Sequence, residues 1–190
     1  MKMYIHTSLA ASLMFSAAVF AADGAGSVQR DVNQQERIEQ GLKSGELSTH
    51  EAAKLEREES RVDHLQARTM KDGNVSAAEK ARLTAAQNKV SHDIYREKHD
   101  AQTGNPNSAS SQRMQADVQR NANQEARIQQ GVASGSLSGH EAAQLERGQA
   151  RIDRREARAG ADGHVGAVEQ RGIQRAENRN SRRIFRKKHN

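Results

Sequence analysis

Apolar residues recur at helical intervals along most of the chain. Val28, Val32, Ile38 and Leu42 mark a first, short helix that ends between Gly41 and Gly45. A second helix starts at Ser48 and carries Ala52, Leu55, Val62 and Leu65 on one side as far as about Thr69. A third starts at Ser76 and carries Leu83, Ala86, Val90 and Ile94. Helices two and three are joined by few residues, so they are expected to fold back on each other as an antiparallel hairpin. Pairing Leu55 with Val90 or Ile94, and Val62 with Leu83 or Ala86, satisfies a single register.

The bends between these helices share one design. In S-G-E-L-S-T-H-E and in D-G-N-V-S-A-A-E, a glycine supplies permissive backbone and an apolar residue, Leu47 or Val75, follows it. A serine then stands three residues before a glutamate, which is the capping-box signature. The stretch from Ser44 to Glu79 returns at Ser134 to Glu169 without insertion. Residues 31–100 align with 121–190 at a constant offset of 90, and nearly half of the pairs are identical. The fold class this implies is all-α: two tandem three-helix units, each built on a long antiparallel helical hairpin, joined by a flexible linker. The expected boundaries are 22–100 for the first unit, 101–116 for the linker around Gly104-Asn105-Pro106, and 117–190 for the second unit. Each core is thin, so the first helix of each unit is expected to pack less firmly. Pairing of the copies or a homodimer would then complete the order. Gly148 and Gly172, standing where copy one has Glu58 and Arg82, are expected to loosen copy two.

Composition adds an address and a charge asymmetry. Residues 1–21 read as a secretory signal, with Lys2, an apolar run from Leu9 to Phe20 and Val19-Phe20-Ala21 as the cleavage site. The run is too short to span a bilayer, so the processed chain is expected to be periplasmic or secreted with no membrane span. The chain has no Cys and no Trp, so it relies on no disulfide. The formal charge is +6, and from Arg171 to Asn190 eight Lys or Arg face Glu177 alone. The basic character therefore belongs to the C-terminal helix.

The D-G-N-V-S-A-A-E bend resembles the second half of an EF-hand loop: Asp72, Gly73, Val75, Ser76 and Glu79 fall at matching positions, as do Asp162, Gly163, Val165 and Glu169. The resemblance implies calcium ligation by Asp72, Glu79, Asp162 and Glu169. The chain departs from it where Arg68 and Met70, or Arg158 and Gly160, stand in place of the acidic ligands that calcium needs. Leu83-Thr84-Ala85-Ala86-Gln87 is similar to the LTxxQ motif of small periplasmic helical chaperones of the Spy and CpxP type.

Three sets of residues are candidates for binding. His50, Glu51 and His99 recur as His140, Glu141 and His189, and the hairpin register puts both histidines at one end, where zinc or copper would find two imidazoles and a carboxylate. The EF-hand-like carboxylates are the second set, with calcium as their ion. The third is the stripe Arg171, Arg175, Arg179, Arg182 and Arg186, spaced to share one helix face. It suits an anionic envelope component such as lipopolysaccharide, an anionic lipid, or an acidic polypeptide, ahead of nucleic acid. No nucleophile or acid–base pair can be argued from the residues. The leading expectation is a non-enzymatic exported helical scaffold that needs no cofactor and engages an anionic partner through its basic C-terminal helix. The alternative is a divalent-metal binding or buffering protein.

Overall fold

A computed structural model describes residues 10–190, with side chains from Ala22 onward, so most of the expected signal segment 1–21 lies outside the described residues. The described residues form six α-helices and no strand: α1 Ala10–Ser44, α2 Thr49–Thr69, α3 Ala77–Lys98, α4 Ala109–Ala133, α5 Gly139–Ala159 and α6 Ala167–Lys188. Among them, no helix is long and apolar enough to cross a membrane.

The four bends form as their residues dictate. Gly45, Gly73, Gly135 and Gly163 all have φ between 74° and 82°, the left-handed region that costs an L side chain about 1–2 kcal/mol. Three helices then start with a full capping box, Ser48 with Glu51, Ser76 with Glu79 and Ser138 with Glu141. At the fourth, Gly166 stands where a serine would cap, and only Glu169 Oε2 remains, accepting from Gly166 N at 2.8 Å. Helices α2 and α3 run antiparallel, with Lys89 Nζ 2.9 Å from Glu58 Oε1 and Lys54 Nζ 3.3 Å from Glu97 Oε1.

The two copies pack through one another. Helix α2 lies antiparallel to α5, and α1 antiparallel to α4. Ser60 Oγ donates to the Ala150 carbonyl at 2.7 Å. These are equivalent residues of the two copies, so a pseudo-two-fold axis passes between them. Ala53, Ser60 and Ala67 run past Ala157, Ala150 and Ala143 in that order along this seam, small residues at every seventh position that let the two backbones approach closely. Both apolar clusters draw on both copies. One joins Ile38, Leu42 and Leu55 to Met114, Val118 and Ile152, and the other joins Val28, Ala67 and Met70 to Ile128, Leu145 and Ile184.

Several expectations change as a result. Helix α1 begins well before Val28, and Val28, Val32, Ile38 and Leu42 are no more than 5% exposed, because α4 covers the face that a lone unit would leave open. Helix α4 begins at Ala109, capped by Ser108, so it takes in the second half of the expected linker. The first half is tied down: Gly104 N donates to Gly45 O at 2.8 Å, and Gln115 Nε2 to Pro106 O at 2.9 Å. Gly148 is buried with Asn180 packed so close that a Cβ would meet its Oδ1 at 2.1 Å. The glycine there makes room for a neighbour.

Candidate metal centre

Because α2 and α5 sit in the middle of the bundle, side chains on both flanks of their small-residue seam are enclosed. Those flanks are acidic. Glu56, Glu59, Asp63 and Gln66 on α2, and Glu146, Gln149, Asp153 and Glu156 on α5, follow one another at intervals of three, four and three residues. Each is at most 3% exposed, as are Asp31, Asn121 and Glu125 from α1 and α4. No Lys or Arg is buried among the described residues, so this interior has no cation of its own.

Two triads bring carboxylate oxygens within 4.8 Å of one another. One is Asp31, Asp63 and Glu146; the other is Glu56, Asp153 and Glu156. Each contains residues of both copies. The spread is about twice a calcium–oxygen distance, so one ion could touch all three groups of a triad. A carboxamide completes each. Gln66 Nε2 donates to Asp31 Oδ2 at 2.7 Å, and Asn121 Nδ2 donates to Glu156 Oε2 at 2.7 Å. In the second pair the amide and the acid have changed places with respect to the first, so each half keeps three acids and one amide. Asp63 and Asp153 are equivalent residues of the two copies, one in each triad, and the charge of Asp153 is among the causes that raise Asp63.

Polar atoms are left over here in a way that needs explaining. Both oxygens of Glu146, one oxygen each of Glu56, Asp153 and Glu156, and the amide oxygens of Gln66 and Asn121 are buried without a hydrogen-bond donor. Burial pushes the Asp31 and Glu56 carboxyls up to about 7. Asp63, Glu146, Asp153 and Glu156 are pushed well above the usual carboxylate range, first by burial and then by the negative charges around them. Glu59 and Glu125 beside them shift the same way for the same reasons. Farther along the bundle, burial raises Asp117 to about 7 and Glu177 to about 8, although Glu177 Oε2 lies 3.2 Å from Arg120 Nη1. A carboxylate that loses water keeps its charge only beside a cation or under hydrogen-bond donors.

A third acidic group, Glu51, Glu97 and Asp100, differs in kind. Glu51 Oε2 accepts from Ser48 N at 2.8 Å in the capping box, while Lys54 and Arg96 hold Glu97 at 3.3 and 3.1 Å. Protein donors already meet most of its charge.

The residues singled out from sequence are placed as follows. His50 Nδ1 lies 2.7 Å from the Ala161 carbonyl, so α2 of copy one meets the Asp162-Gly163 bend of copy two. His99 and His189 turn back on their own helices, each with Nδ1 2.7 Å from a carbonyl, and stack on Tyr95 and Phe185. His140 Nε2 contacts Gln144. Asp72 and Asp162 accept from the backbone two residues on, while Glu79 and Glu169 accept from the amides of Ser76 and Gly166. Glu141 does the same for Ser138, 46 residues before the exposed basic tail that carries Lys187, 3.9 Å from Glu141 Oε1. Arg171, Arg175, Arg179, Arg182 and Arg186 are all exposed.

Sequence reasoning passed over the buried acids. Their interval of three, four and three residues was visible, and so was the exchange of acid for amide between copies. Nothing local says that a second helix covers that face. Comparison with protein-family models, curated proteins and solved structures finds no match to this chain.

Proposed function

We propose that this protein binds hard divalent cations in a paired carboxylate centre between its two halves, each copy serving as a three-helix arm of one clamp. Asp31, Asp63 and Glu146, with the Gln66 amide oxygen, form one half-site. Glu56, Asp153 and Glu156, with the Asn121 amide oxygen, form the other. The observation that carries this reading is the convergence of buried carboxylates in both triads, with donor-less oxygens on Glu146 in one and on Glu56, Asp153 and Glu156 in the other. In the third acidic group, by contrast, Glu97 is held by the cations of Lys54 and Arg96.

The donor set is oxygen alone, which suits calcium, magnesium or manganese and suits zinc or copper poorly. This moves the metal away from the repeated histidines and the EF-hand-like bends and into the bundle. A divalent ion in each half would neutralise most of three carboxylates, and it would displace protons as it entered, so affinity rises with pH. Each ion would also join α2 to α5, making metal loading and docking of the copies one event. If the N-terminal segment acts as an export signal, that event would take place outside the cytoplasm.

Native mass spectrometry of the protein, stripped with chelator and then titrated at pH 8 with calcium, manganese and zinc, tests the reading. Two bound calcium or manganese ions are expected, and none in Asp63→Asn/Asp153→Asn. Absence of any bound ion from the unsubstituted protein at 100-fold excess of each metal would remove the proposal.

A further inference from the structure

The outward grooves of the two hairpins give an internal comparison. In copy one the groove between α2 and α3 is lined by Glu58, Arg61, Leu65 and Lys89 over an apolar floor of Val62 and Val90. Part of its charge is paired: Lys89 Nζ lies 2.9 Å from Glu58 Oε1 and 2.5 Å from Asp93 Oδ2, while Arg61 and Arg68 add cations to the lining. In copy two every one of these positions changes in one direction or keeps its cation. Arg61 becomes Arg151, Leu65 becomes Arg155, Lys89 becomes Arg179, Glu58 becomes Gly148 and Asp93 becomes Arg183.

The groove between α5 and α6 is therefore lined by four arginines and no carboxylate, over Gly148, Ile152 and Asn180. The ion pairs of copy two, Arg120 with Glu177 and Lys187 with Glu141, use none of the four. Burial and the charges of Arg183 and Arg147 hold the Arg151 guanidinium below its usual range, which is the signature of cations crowded without a counter-ion. Guanidinium forks match phosphate oxygens two at a time, and several forks around one point favour a multiply charged oxyanion over a single carboxylate. The groove holds about 150 Å³, less than a drug-sized ligand needs. It admits a phosphoryl or pyrophosphoryl group while the rest of a ligand stays outside.

We propose that the α5–α6 groove is a phosphoryl-binding site clamped by Arg151, Arg155, Arg179 and Arg183. It differs from the Arg171 to Arg186 stripe in taking two of its cations from α5, so that two helices close on one point. The site is independent of the carboxylate centre, which faces the other side of α5.

Calorimetry with inorganic pyrophosphate, in chelator so that the metal centre takes no part, tests it. The unsubstituted protein should bind one pyrophosphate. Arg183→Asp and Arg155→Leu, which restore the residues of copy one, should each weaken binding about tenfold or more, as loss of a charge-assisted hydrogen bond does. Arg171→Asp makes the same charge change as Arg183→Asp outside the groove and should change affinity less than twofold. Equal weakening by Arg171→Asp and Arg183→Asp, or no binding of pyrophosphate, would overturn the proposal. Vesicles of phosphatidylcholine with and without phosphatidic acid, competed with pyrophosphate, identify the source. Groove-dependent vesicle binding assigns a lipid headgroup, and its absence alongside pyrophosphate binding assigns a free phosphoester.

Discussion

The two copies differ from each other in opposite ways inside and outside the bundle. At five buried positions the difference is only an acid exchanged for its amide: Asp31 and Asn121, Gln35 and Glu125, Glu59 and Gln149, Gln66 and Glu156, Gln87 and Glu177. The members of each pair have the same shape and differ in charge and in donors. On the outer groove the exchanges invert charge outright, as at Asp93 and Arg183. At these five positions the exchange keeps volume, as an enclosed site favours, whereas Val90 and Asn180, or Met70 and Gly160, are buried pairs that do change shape. The position of Asp93 is buried in copy one and that of Arg183 exposed in copy two, so there the change of sign goes with a change of exposure.

The largest effect should come from metal. At a hundredfold excess over Kd each ion adds about 2.7 kcal/mol, so chelation should lower the melting temperature steeply. Asp63→Asn/Asp153→Asn should remove that metal dependence and, in chelator, melt above the unsubstituted protein, because two buried acids that resist ionisation have gone. A double variant that still gained stability from metal would break the equivalence drawn between the triads and the ion.

Next comes the seam that brings the copies together. Ser60→Leu places a branched side chain where Ser60 Oγ now meets the Ala150 carbonyl, and overpacking of this kind costs about 2 kcal/mol. Denaturant unfolding should record that loss, together with weaker metal binding, since each triad spans the seam. The same substitution on an exposed face should do neither.

A third effect is set by pH. In chelator the fold keeps protons on Asp31 and Glu56 up to about 7 and on Glu177 up to about 8, whereas the unfolded chain releases them near 4. The folded state therefore binds more protons between those values. Stability should fall as pH rises from about 4 to about 8, and the other buried acids, raised in the same direction, add to that fall. With calcium or manganese the trend should reverse over the same range, because the ion takes the ionised form. Melting curves from pH 4 to 9 with and without metal would read both slopes.

The smallest effect concerns the one bend where a cap is missing. Gly166→Ser restores the residue that copy one has at Ser76 and should stabilise by about 0.3 kcal/mol, with no change in metal binding. A thermal melt resolves whether the sign is right.

Local features were legible in the chain. The left-handed glycines, the three full capping boxes and the meeting of Leu55 and Val62 with Val90 and Leu83 all follow from residues close in sequence. Docking of the copies was not legible, since no spacing within α2 says that Ala53, Ser60 and Ala67 face α5 at close range. That one long-range fact turns Glu56, Glu59 and Asp63 from a solvated face into an interior, and makes α1 a firm element. His99 and His189 end the two hairpins in the same way, each ring stacked on Tyr95 or Phe185.

The central claim is that two cations sit side by side between the halves, with Asp63 and Asp153 between them. Electron paramagnetic resonance of protein loaded with two equivalents of manganese reads that arrangement directly. Two ions sharing the centre should give a broadened, exchange-coupled spectrum that collapses to free manganese in Asp63→Asn/Asp153→Asn. A sharp six-line signal from isolated bound ions, or one unchanged by the double variant, would contradict it.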